Sequence, residues 1–90
     1  MTREEKDNQL LAAAFEELDA HEAKTGQVVD VHIDISNAAG NCMSGVLEWR
    51  KKWAGGREVV SARELLQIAA QCRDQISRVV LGVRKAISRS

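Results

Sequence analysis

From Ser61 to the last residue, the apolar positions Leu65, Ile68, Ala69, Cys72, Ile76, Val79, Val80, Val83, Ala86 and Ile87 recur at helical spacing. Steps of three and four residues keep them on one side of an α-helix that turns about 100° per residue. Arg63, Glu64, Gln67, Gln71, Asp74, Arg78, Lys85 and Arg89 fall on the other side. The pattern predicts a helix over 61–88, about 40 Å long at 1.5 Å per residue, opened by Ser61 and Glu64 at capping-box spacing.

A first helix is predicted over 2–24. Thr2 and Glu5 have the capping-box spacing, and Leu10, Leu11, Ala14, Phe15 and Leu18 form a short apolar stripe. Glu4, Asn8 and Glu22 share that side, so only the middle of the helix can be buried. Thr25-Gly26-Gln27 supplies its stop, with Gly26 suited to a left-handed C-terminal position.

The middle of the chain supports two periods. At period two, Val29, Val31, Ile33 and Ile35 alternate with Asp30, His32 and Asp34, as in a half-buried strand. At period 3.6, Val31, Ile35, Ala38, Cys42, Val46, Trp49 and Trp53 form one stripe. The helical reading spans 30–54, takes Asp30 as its cap, and ends at Gly55-Gly56. Gly40 and Gly45 weaken it by about 1 kcal/mol each relative to Ala, and a later start at Ser36 or Asn37 also fits. The expected architecture is thus all-α: an antiparallel three-helix bundle in a single domain, 1–90, with helices 2–24, 30–54 and 61–88. The alternative is a strand-helix-helix dimer preceded by a short N-terminal helix.

Composition agrees with a helical class. The 90 residues include no proline, and Phe15, Trp49 and Trp53 are the only aromatics. The N-terminal residues are charged and lack a signal-peptide pattern, and the longest apolar run, Leu10–Phe15, is too short to span a bilayer. A cytoplasmic protein without membrane contact is expected. Cys42 and Cys72 both fall on apolar stripes, which predicts reduced, buried thiols. Residues 1–35 carry three basic against nine acidic residues, a net −6, and residues 36–90 carry ten against four, a net +6. Compensation between the halves, within the chain or between subunits, is the expected outcome.

Candidate chemistry is sparse. No nucleophile-elbow, metalloprotease or phosphate-loop pattern occurs, so no catalytic residue and no cofactor are assigned. His21, four residues after Glu17, reads as an ordinary surface pair. The two histidines and two cysteines lack zinc-ligand spacing, so no metal is assigned, and Asp30, His32 and Asp34 read as a solvated polar face. Trp49-Arg50-Lys51-Lys52-Trp53 followed by Arg57 interleaves cations with aromatics, a pattern that serves nucleic acids. In element order alone, the strand reading resembles the ribbon-helix-helix regulators, whose paired strands enter the major groove. Asp30 and Asp34 would then face phosphates, which is electrostatically unfavourable.

Association has the stronger signal. Leu66, Ala70 and Leu81 lie off the main stripe of the last helix, and Met43 and Leu47 lie off that of the middle one. Several such residues on adjoining helices suggest a contact patch. The expected function is a small non-enzymatic, protein-binding module: a regulator, adaptor or inhibitor that self-associates as a homodimer. Its contact residues would be Leu47, Arg50, Lys51, Leu66, Arg78, Leu81 and Lys85. The acidic face around Glu16, Glu17 and Asp19 is a second surface, suited to a basic partner. The alternative is a small DNA-binding transcriptional regulator that uses the Trp49–Trp53 region.

Overall fold

The computed structural model describes all 90 residues. Two helix–strand–helix units follow one another: α1 (Arg3–Thr25), β1 (Asp30–His32) and α2 (Ile33–Ala38), then α3 (Met43–Trp53), β2 (Val59–Ser61) and α4 (Ala62–Cys72). A last helix, α5 (Ile76–Arg89), folds back against the others. The two strands pair antiparallel, with Asp30 opposite Ser61, Val31 opposite Val60 and His32 opposite Val59.

Local sequence explains most element ends. The Glu5 amide donates to Thr2 Oγ1 at 3.2 Å and the Glu64 amide to Ser61 Oγ at 3.2 Å, so both predicted capping residues act. Gly26, Gly55 and Gly56 take positive φ values of 69°, 64° and 71° where helices must end, a region that costs glycine little. In the ambiguous segment both periods are realised in turn. Val29 and Val31 are buried at strand spacing, then His32 Nδ1 accepts the Asp34 amide at 3.0 Å and caps a helix beginning at Ile33.

The chain is therefore mostly helical, but the three-helix bundle is replaced by five helices and a small sheet. The 30–54 rod is interrupted between Ala38 and Met43, where Gly40 adopts φ 105°. The 61–88 rod is interrupted at Arg73–Gln75, where Arg73 and Gln75 both turn left-handed with φ 57° and 56°. A 28-residue rod of about 40 Å would exceed the longest dimension of the molecule, 33 Å. The strand alternative fails in its pairing, because the partner of β1 is β2 of the same chain.

Refolding the C-terminal rod into a hairpin changes what is buried. Helix α4 packs against both α1 and α5, so two of its faces are covered. Leu66, expected at a contact surface, is 0 % exposed and joins Leu18, Val31, Val80 and Val83 at the centre of the core. Each such side chain contributes about 1.5–3 kcal/mol by leaving water.

Arg50, also expected on the surface, is 2 % exposed. Its guanidinium donates to the carbonyl oxygens of Val31 at 3.0 Å and of Arg57 and Glu58 at 3.3 Å each. Calcium loops converge oxygens on a cation in the same sense, but here the cation belongs to the chain. It ties α3 to β1 and to the loop that leads into β2. Burial pushes this guanidinium below its ordinary pKa, and the nearby charge of Arg57 acts the same way.

The opposite charges of the two parts of the chain meet within the molecule. Arg63 donates to Asp19 at 2.7 Å and to Glu22 at 2.6 Å, and Arg84 donates to Glu17 at 3.0 Å. No helix is long and apolar enough to cross a membrane.

Candidate functional site

The links α2–α3 and α4–α5 approach each other and leave a cleft of about 430 Å³ between α3 and the start of α5. Asn41 and Cys42 line it from the first link, Asp74 and Gln75 from the second, and Trp49 and Arg78 from the helices. Glu48 and Lys52 stand among its charged lining residues, and Val46, Leu65 and Val79 supply its apolar ones.

The α4–α5 link is secured by both indoles. Trp49 Nε1 donates to the carbonyl oxygen of Asp74 at 3.0 Å, and Trp53 Nε1 donates to its carboxylate at 2.9 Å. Trp49 belongs to the core at 8 % exposure, whereas Trp53 stays 37 % exposed beside the Lys52 ammonium, 4.9 Å from its ring.

The facing link is less complete. Asn37 Nδ2 donates to the Asn41 carbonyl oxygen at 2.8 Å, and Asn41 Nδ2 donates to the Arg78 carbonyl oxygen at 3.1 Å. That second bond fixes which end of the amide is which. Asn41 is 7 % exposed, and its Oδ1 meets no donor. An unsatisfied buried acceptor is uncommon and costs about 1–3 kcal/mol.

Cys42 sits next to it at the N-cap position of α3 and is exposed, contrary to the expectation of a buried thiol. Its Sγ lies 2.9 Å from Ser44 Oγ. That hydroxyl, then the backbone N–H groups of Gly45 and Ser44, hold the thiol below its ordinary pKa, and the charge of Arg78 adds to the effect. A thiolate is also favoured at a helix N-terminus by the unpaired amides there. Neither histidine lines the cleft. His21 lies on α1, and His32 stands at the end of β1 between Asp34 and Glu58.

Of the surface residues expected to bind a partner, Leu47 and Leu81 are each 47 % exposed, and Lys51 and Arg78 are also exposed. Lys85 is half-buried. They do not form one patch by helical geometry. Leu47 and Lys51 are rotated away from the side of α3 that lines the cleft, while Arg78, Leu81 and Lys85 run along α5 from the cleft mouth. The basic-aromatic stretch is likewise divided, since Trp49 and Arg50 point inward and Arg57 pairs with Glu64 at 2.8 Å. Only Lys51, Lys52 and Trp53 remain outside. The chain matches no protein-family model, no curated protein and no solved structure.

Asn41, Cys42, Asp74 and Gln75 escaped the sequence reading as site residues. Gly40 was the available signal, because Gly-Asn after a short helical stretch is a helix stop. Arg73-Asp74-Gln75 carries no comparable mark.

Proposed function

We propose that this chain is a small protein-binding module, acting as a regulator, adaptor or inhibitor in the cytoplasm, and that it recognises its partner through the outer face of α5. The observation that carries the reading is Leu81, half-exposed on a helix whose inner face is fully packed, with Arg78 three residues before it and Lys85 four after. An apolar centre flanked by cations suits an amphipathic partner helix with acidic edges, since helix-in-face recognition reads anchors at that spacing and opposite charges set its register. Self-association would bring the exposed acidic residues of α1 in a second copy, such as Glu16, to this face. Leu47 and Lys51 form a separate, smaller contact on α3.

Light scattering after gel filtration, together with affinity capture from the source cells, tests the reading. A dimeric mass, or a captured protein, that is lost in Leu81→Glu while the helical circular dichroism is retained supports it. Unchanged association in that variant refutes it. Binding to mixed-sequence DNA that fades steeply with salt would instead favour a nucleic-acid role for Lys51, Lys52 and Trp53.

A further inference from the structure

The cleft between α3 and α5 contains a charge that nothing in the molecule cancels. Arg50, 2 % exposed, is among its lining residues. The carbonyls of Val31, Arg57 and Glu58 accept from its terminal nitrogens, but no carboxylate pairs with it. Burial and the charge of Arg57 both act against its cationic form, and no anion acts for it. Arginine is almost never fully buried unless paired, because an uncompensated charge away from water is costly. Four further charged residues line the same cleft: Arg78 on α5, Glu48 and Lys52 on α3, and Asp74 in the α4–α5 link. None of them forms an ion pair within the chain. Three cations against two anions leave a net +1, and Asp74 is already engaged by the Trp53 indole. Val46, Trp49, Leu65 and Val79 add apolar surface beside these charges. The volume of about 430 Å³ falls in the range of small-molecule sites, about 300–1,000 Å³.

We propose that the α3–α5 cleft binds a small organic monoanion, a carboxylate on an apolar or aromatic body. Arg78 is the contact for the carboxylate. Its carbonyl is bonded to Asn41, while its guanidinium has no partner within the chain, and that planar fork suits two parallel N–H···O bonds. Arg50 keeps its carbonyls and contributes its charge through space, which counts for more in a poorly solvated site than in water. The apolar body of the ligand covers Val46, Trp49 and Val79 and so takes apolar surface out of water. A net charge of one matches one negative charge. A phosphate dianion would bring a second negative charge against Glu48 and Asp74, and that repulsion selects against it.

Calorimetric titration of the full chain with benzoate or hexanoate tests the proposal, with benzyl alcohol and inorganic phosphate as comparison probes. Saturable binding of at least one carboxylate is expected, about tenfold or more tighter than that of either comparison probe. Arg78→Gln should weaken it about tenfold. Arg89→Gln removes one positive charge at the far end of α5 and should leave it unchanged. Gly45→Leu separates a filled cleft from a damaged fold. Gly45 lines the cleft, and a Cβ there meets no atom within 4 Å. Leucine is also the better helix former, so the thermal midpoint should rise while saturable binding is lost. Heats that do not saturate with either carboxylate overturn the proposal. Equal affinity for benzyl alcohol overturns it by making the cleft an apolar site only, and equal affinity for phosphate by making it a general anion site. Wild-type affinity in Arg78→Gln or in Gly45→Leu does the same.

Discussion

The two polar sites on α3 differ in how completely they are satisfied. At Arg50 a buried cation meets three carbonyl oxygens from two other segments. At Asn41 and Cys42, more than two helical turns away along the chain, an acceptor has no donor and a thiol faces an open cleft. A polar group whose partners are all internal serves the fold, because removing it leaves those partners unpaired. The Asn41 oxygen is itself shut off from the cleft, and only the Cys42 thiol is open to something from outside. The two sites stand at opposite ends of α3, the first inside its last turn and the second just before its first.

Removing the Arg50 cluster should have the largest effect. Arg50→Met takes a donor from three carbonyls, of which that of Glu58 keeps the Ile33 amide at 2.9 Å, and should cost about 2–4 kcal/mol in urea unfolding. A loss below about 1 kcal/mol would mean that water satisfies those oxygens equally well, and the contrast would collapse. Trp49→Phe keeps most of the core volume but drops the bond to the Asp74 carbonyl, so about 1–2 kcal/mol should be lost. The same change at Trp53, on the exposed rim, should cost about 0.5 kcal/mol or less.

The α4–α5 link sharpens the comparison from the opposite direction. Gln75 holds φ 56° with a side chain, and Gln75→Gly should raise stability by about 0.5–1 kcal/mol by relieving that strain. No gain in the thermal midpoint would show that the side chain contributes compensating contacts.

Acid offers a further probe. The hydrogen bond from Arg63 holds the Glu22 carboxyl below its ordinary pKa; burial opposes it, and the Val29 amide adds a lesser lowering. A depressed folded pKa means stability that is present above the ordinary carboxylate range, about pH 4.3. It is lost as pH falls through the folded value. Arg63→Gln should flatten this part of the acid limb, by about 0.2–1 kcal/mol, since these pairs are partly exposed. An unaltered limb would remove Glu22 from the account. The smallest change belongs to the open site: Cys42→Ala should shift stability by no more than about 0.5 kcal/mol. A larger loss would make Cys42 part of the architecture.

Much of the outline was legible without coordinates. Caps at Thr2 and Ser61 and glycine stops at Gly26 and Gly55-Gly56 act through neighbours a few residues away, so the local chain suffices to place them. The core stripe from Leu65 to Ile87 was also correct as a set of inward-facing positions, even though the helix beneath it is broken. The chain reverses at Arg73–Gln75, and both helices turn their apolar stripes to the shared core, so periodicity is blind to such a break.

The candidate site was not legible, for the same reason. Reading 30–54 as one rod placed Cys42 on a buried stripe and Arg50 on the surface, and the structure reverses both. The sequence alone determined helical content, the element ends and the apolar faces, because these depend on spacing and on local hydrogen bonds. Only the tertiary structure decided where the rods fold, which charge lies inside and which oxygen lacks a partner. Those outcomes depend on atoms brought together from distant segments, and no local pattern records which distant group will meet which.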